Sequence, residues 1–142
     1  MSDQIIYPRS PRETMSGWMH LPRYVDKIRL HLAGKLHADY QPNLGKGFDG
    51  RWLQAAGLTH EQMIEAVKKS TTDGEVCDWL NAHVKRSDAE KCAHAEGMSN
   101  YPKAGDTEME NRLKQRKEAA GLAHRDDLTS FVDFIDADEK RK

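Results

Sequence analysis

Three times in the middle of this 142-residue chain a Ser or Thr is followed three positions later by Glu or Gln, at Thr59/Gln62, Thr72/Glu75 and Ser87/Glu90. Each pair spells a capping box. The hydroxyl accepts an N–H of the first helical turn while the Glu or Gln reaches back to the cap residue's own N–H, satisfying donors that a helix start leaves open. Stop signals answer these starts: Gly34, Gly57 and Gly121 each close an apolar-periodic stretch where a left-handed residue ends a helix. Pro22 and Asp106 add two further starts. Such punctuation leaves room for short helices and little else. The expectation is an all-α, irregular single-domain bundle of about six or seven helices, since a chain of this length fits one domain of roughly 100–200 residues. Residues 1–84 supply the core helices, and 85–142 form C-terminal helices packing on them. No β-branched run of period two appears; LHADY at 36–40 comes nearest and is isolated.

The helix expected at 22–33 has the clearest face. Leu21, Val25, Ile28 and Leu32 follow the i, i+4, i+7, i+11 stripe, with Arg23, Asp26 and Lys27 opposite. Leu30 falls between Arg23 and Asp26 on that polar side, and a helix with apolar groups on both sides is contacted from two directions. Before it, Ser10-Pro11-Arg12-Glu13 reads as a short helical turn ending at Ser16-Gly17. After it, residues 35–48 read as a long surface loop, and Asp49 as the cap of a short helix burying Trp52, Leu53 and Ala56. The next two helices bury Met63, Ile64 and Val67, then Val76, Cys77, Leu80 and Val84 with Trp79 beside them. The helix after Ser87 has mostly Ala on its apolar side, and the one after Asp106 lies outermost. A last helix follows Asp126 and Asp127 and presents Leu128, Phe131, Val132 and Ile135.

Composition narrows the function classes. No apolar run approaches the about 20 residues that span a bilayer, and the N-terminus MSDQIIYPRSPRE lacks a leader pattern, so a cytoplasmic, membrane-free protein is expected. The formal charge is −1 and no stretch gathers enough Lys and Arg for a nucleic-acid footprint. Residues 1–51 carry eight Lys/Arg against five Asp/Glu, whereas 52–100 carry five against eight, and these two parts are expected to face each other. Cys77 and Cys92 give no ligand spacing and read as reduced thiols packed on helices.

The stretch HLPRYVDKIRLHLAGKL at 20–36, with FDGRWLQAAGL at 48–58, DGEVCDWL at 73–80 and DDLTSFVDFIDADE at 126–139, resembles an uncharacterised bacterial family, domain-of-unknown-function family 5069. LPRYVDKIR is its most specific piece. The resemblance covers nearly the whole chain and implies no substrate, cofactor or catalytic residue.

GKGFDG at 45–50 spells the G-x-G-x-x-G of a dinucleotide loop. That chemistry needs a buried strand before it and a long helix after it; ADYQPNL is no such strand, and Asp49 would place negative charge where phosphate should sit. A glycine-rich turn entering a helix is the better reading, and no cofactor is expected. The segment ahead of the 22–33 helix carries Arg9, Arg12 and His20, which with Arg23, Asp26 and Lys27 gathers positive charge at a helix N-terminus. Two readings stay open there: a site for a small anion or acidic peptide, making the chain a non-catalytic binding module, and an ion-pair network that pins the N-terminal segment. A competing class is a small enzyme transferring protons through His37, Asp39 and Tyr40 in the long loop. A third is an interaction adaptor using an exposed patch at Trp18, Met19 or Trp79. Seven histidines show no HxxxH or HExxH, so no metal is expected. Asp133, Asp136, Asp138 and Glu139 lack the Gly and distal Glu of a calcium loop and read as a solvated helix end.

Overall fold

A computed structural model of the chain describes residues 6–141. Among these residues the protein is mostly helical, with seven α-helices: α1 Leu21–Leu32, α2 Phe48–Ala56, α3 His60–Lys68, α4 Asp73–His83, α5 Asp88–Ser99, α6 Thr107–Ala119 and α7 Phe131–Asp138. Two compact units divide the chain, Met1–His94 and Ala95–Lys142. All three capping boxes form. Gln62 and Glu75 amides donate to the Thr59 and Thr72 hydroxyls at 3.2 Å each, and Glu90 to Ser87 at 3.1 Å. The side chains of Gln62, Glu75 and Glu90 accept the cap amides in return.

The first unit is built around α1. Leu21, Tyr24, Val25 and Ile28 of α1 are buried with Trp52 and Leu53 of α2, Met63 and Val67 of α3, and Val76 and Leu80 of α4. Trp18 and Tyr24 meet Trp52 edge-on, with centroids 5.9 and 5.8 Å away. Edge-to-face rings of this kind add about 0.5–1.5 kcal/mol beyond the area they bury. Leu32, expected on the buried stripe, is instead 45% exposed, because α1 stops there and Gly34 turns the chain away with φ +71°.

A β-hairpin stands where a helical turn was expected. β1 (Thr14–Met15) pairs antiparallel with β2 (Trp18–Met19), in the register Thr14 to Met19 and Met15 to Trp18. Ser16 and Gly17 both have positive φ, the conformation a two-residue hairpin turn demands. Pro11 and Arg12 form only a turn, closed by the Glu13 N–H to the Ser10 carbonyl. The hairpin buries Trp18 and Met19, so neither can belong to an exposed adaptor patch. Part of the long loop is ordered as a 3-10 helix over Ala38–Asn43.

In the second unit Leu113 of α6 is buried, as are Phe131, Val132 and Phe134 of α7, and Tyr101 stacks on Phe131 at 5.4 Å. The cap of α7 is Ser130, whose hydroxyl accepts from the Asp133 amide, and not the Asp126-Asp127 pair; Asp127 is held by Arg125. Asp133, Asp136 and Glu139 are buried rather than solvated, and Arg141 donates to both Asp136 and Glu139. Cys77 is half-buried, and Cys92 is exposed rather than packed. No helix among the described residues is long and apolar enough to cross a membrane. Removing one cap hydroxyl, as in Thr59→Ala or Thr72→Ala, is expected to cost about 1 kcal/mol, read as a lower urea midpoint with unchanged slope.

Candidate functional site

The most constrained polar group in the first unit is the Asp49 carboxylate, which has no exposed surface. Asp49 sits in the first turn of α2, but it does not cap that helix; the cap position is Gly47, with no side-chain hydrogen bond. Its Oδ1 accepts from His20 Nε2 at 2.6 Å, and Oδ2 from Lys27 Nζ at 2.7 Å and from the Gly45 amide at 3.0 Å. Three donors from the hairpin exit, from α1 and from the GKGFDG turn therefore meet on one carboxylate.

Electrostatics follow from that geometry. Burial opposes charge on Asp49, but the bonds from His20 and Lys27 and the Lys27 charge outweigh it and hold the carboxyl below its ordinary range. Burial pushes the His20 imidazole down, against the pull of Asp49. His20 is thus neutral, and because a carboxylate only accepts, its proton lies on Nε2. Lys27 and Asp49 form the charged pair. His20 Nδ1 is left as a buried acceptor without a partner among the described residues. The same residue is strained: it enters α1 at φ 77°, where a non-glycine residue costs about 1–3 kcal/mol.

A second network lies on the half-exposed edge of α1. The Arg9 guanidinium grips Asp26 through Nε and Nη2 at 2.9 and 3.0 Å, and its Nη1 reaches Asp73 at 2.9 Å. Asp73 also accepts from Arg29 Nη1 at 2.6 Å. Burial works against the Asp73 charge, yet the bonds from Arg9 and Arg29 hold its carboxyl low; Asp26 and Asp73 in turn keep Arg9 firmly protonated. The basic N-terminal third and the acidic middle do meet here. Arg29 Nη2 is sheltered from water and has no acceptor among the described residues.

The residues expected to form a site fall into three places. Arg9 and Asp26 join the edge network. Arg23, buried, donates to the Arg9 carbonyl at 3.1 Å and lies over the Tyr40 ring at 5.5 Å. Asp26 pairs with Arg9 across the chain, in place of the Arg23–Asp26 pair that helical spacing suggests. His20 and Lys27 belong to the Asp49 cluster. Arg12 is exposed, with its amide on Ser10 Oγ. In the loop trio His37 Nδ1 accepts the Asp39 amide at 3.1 Å, the Asp39 side chain is 82% exposed, and His37 and Tyr40 are half-buried with their rings 6.4 Å apart. Sequence reasoning missed Arg29, Asp49 and Asp73 as members. Arg29 lies two positions beyond Lys27 inside the most specific motif, and that was the available signal.

Of the concavities, one lies between α3 and α4, about 320 Å³, lined by Glu61, Gln62, Glu65, Ala66, Lys69 and Trp79. It is shallow and the Asp49 cluster does not line it. The Trp79 indole stacks on His83 at 4.4 Å. No group of three or more His, Cys, Asp or Glu among the described residues is arranged to hold a metal ion.

A family model described as Domain of unknown function (DUF5069) matches residues 5–141. The chain belongs to that family. No curated protein matches it.

Replacing Asp49 by Ala would leave the Lys27 ammonium and the His20 N–H buried and unpaired. Breaking a buried pair from one side costs about 3–5 kcal/mol, and a urea titration of Asp49→Ala should show that loss. Adding Lys27→Met should recover part of it, since the unpaired charge is then gone.

Proposed function

We propose that the chain is a non-catalytic binding module, taking a small anion or the carboxylate of an acidic peptide on the edge of α1 where Arg9 and Arg29 meet. One atom carries this reading: Arg29 Nη2, a guanidinium donor sheltered from solvent and without an acceptor among the described residues. Buried donors are almost always paired, and a carboxylate or phosphate oxygen arriving there would gain a charge-assisted bond. The neighbouring Arg9 guanidinium, 34% exposed, adds charge on the side open to water.

His20 and Lys27 are turned to Asp49 and leave the ligand set, so the donor role passes to Arg29. Asp26 and Asp73 already offset two positive charges at this edge. Binding should therefore be weak and salt-sensitive. We take the setting to be the bacterial cytoplasm, which free cysteines and the absence of a membrane-crossing helix among the described residues support.

Thermal unfolding in phosphate, sulfate, citrate and a Glu-rich peptide, each matched to sodium chloride of equal ionic strength, tests the reading. At least one anion should raise the wild-type midpoint by several degrees, as a ligand near 100 times its Kd adds about 2.7 kcal/mol. Arg29→Lys keeps the charge but loses Nη2, and should lose the response. No response in the wild type, or an equal one in Arg29→Lys, removes the proposal.

A further inference from the structure

The Tyr24 hydroxyl lies 2.5 Å from His60 Nδ1, and the two rings stack with centroids 5.8 Å apart. Tyr24 is fully buried on α1, whereas His60, the first residue of α3, is half-buried. A buried O–H needs an acceptor, so His60 Nδ1 accepts and the neutral imidazole carries its proton on Nε2. The same ring is a wall for the GKGFDG turn. A Cβ at Gly45, where φ is +76°, would stand 2.7 Å from His60 Cγ and Nδ1, so only glycine lets the chain pass. On its other side the Gly45 amide is held by Asp49 Oδ2. The turn is thus clamped between His60 and the buried carboxylate.

We infer that His60 is a proton-operated latch on the Gly45–Phe48 turn, which holds Asp49 through the Gly45 amide and meets His20 through the Phe48 ring. A proton taken up at Nδ1 converts the acceptor into a donor. Tyr24 oxygen can then accept from Nδ1–H, but the phenol's own hydrogen is left in the core without an acceptor. The groups around the pair are Tyr24 on α1, uncharged Gly45 on the turn, Asp49 on α2 and Glu61 beside His60 on α3. Burial first, and then the negative charges of Asp49 and Glu61, resist ionisation of the Tyr24 hydroxyl, so Tyr24 cannot resolve the conflict by losing its proton. Glu61 is exposed and draws the new imidazolium outward. As the ring leaves Tyr24, the wall against Gly45 goes with it and the turn opens. Opening takes up a proton, so it is favoured as pH falls. This inference rests on contacts separate from the Arg9–Arg29 edge and stands or falls independently of the binding proposal.

Hydrogen exchange resolved by residue tests it on the full chain. On lowering the pH from about 8 to about 5, the protection factor of the Gly45 amide should fall by about tenfold or more. Those of Val25 and Ile28 inside α1 should hold. His60→Asn keeps an acceptor at the Nδ1 position that does not titrate, and Tyr24→Phe removes the hydroxyl that protonation strands. In both, the pH-dependent fall at Gly45 should disappear. A flat Gly45 profile in the wild type overturns the latch without any variant. A fall that persists in His60→Asn also overturns it, assigning the effect to His20 and Asp49 instead.

Discussion

The burial of one carboxylate organises the first unit. Asp49 has no exposed surface, and an isolated ionised carboxyl in such a place would be far too costly to keep. It stays charged because a lysine ammonium, an imidazole N–H and a backbone N–H all donate to it. Each donor belongs to a different piece of chain, so satisfying the carboxylate fixes three pieces at once. The requirement also accounts for the strain at His20. The chain leaves β2 and enters α1 through a left-handed residue, and the bond to Asp49 is the compensating interaction at that residue.

Around this dry centre the polar groups grade outward. The Asp49 pair is enclosed, whereas Asp73 and its two arginines are about one-third exposed. Interactions of the second kind contribute little each to stability, because water screens them and long side chains lose freedom in holding them. What the edge network supplies is arrangement: Arg9 ties the N-terminal segment to α1 through Asp26 and to α4 through Asp73. Arrangement of donors in a half-exposed place is also what recognition of an anion requires, so the open donor on Arg29 gains meaning from its neighbours.

Much of the helical pattern was legible because helix ends are local. Thr59 with Gln62 and Thr72 with Glu75 need only each other to form a box, and Gly57 needs only its own backbone freedom. The hairpin was not read because its two-residue strands are too short to show alternation; Ser16-Gly17 looked like a helix end, since both features use positive φ. Arg23 and Asp26 share a helical face, yet the ion pair ran from Asp26 to Arg9, a partner 17 residues distant that no helical spacing can propose. Asp49 was misjudged for a related reason. An Asp just ahead of an apolar stretch reads as a helix cap in one dimension, and only in three does it meet Lys27 and His20.

By itself the sequence determined that this chain is mostly helical, where most of the helices begin and end, and that its basic and acidic stretches are drawn together. These follow from backbone capping, side-chain periodicity and net charge, which act over a few residues or need no geometry at all. Tertiary structure decided which charges are buried, which histidine nitrogen is left open, and which arginine keeps a spare donor. Those outcomes depend on desolvation and on distances of a few ångströms between segments far apart in the chain, and the order of residues does not contain them until the chain is folded.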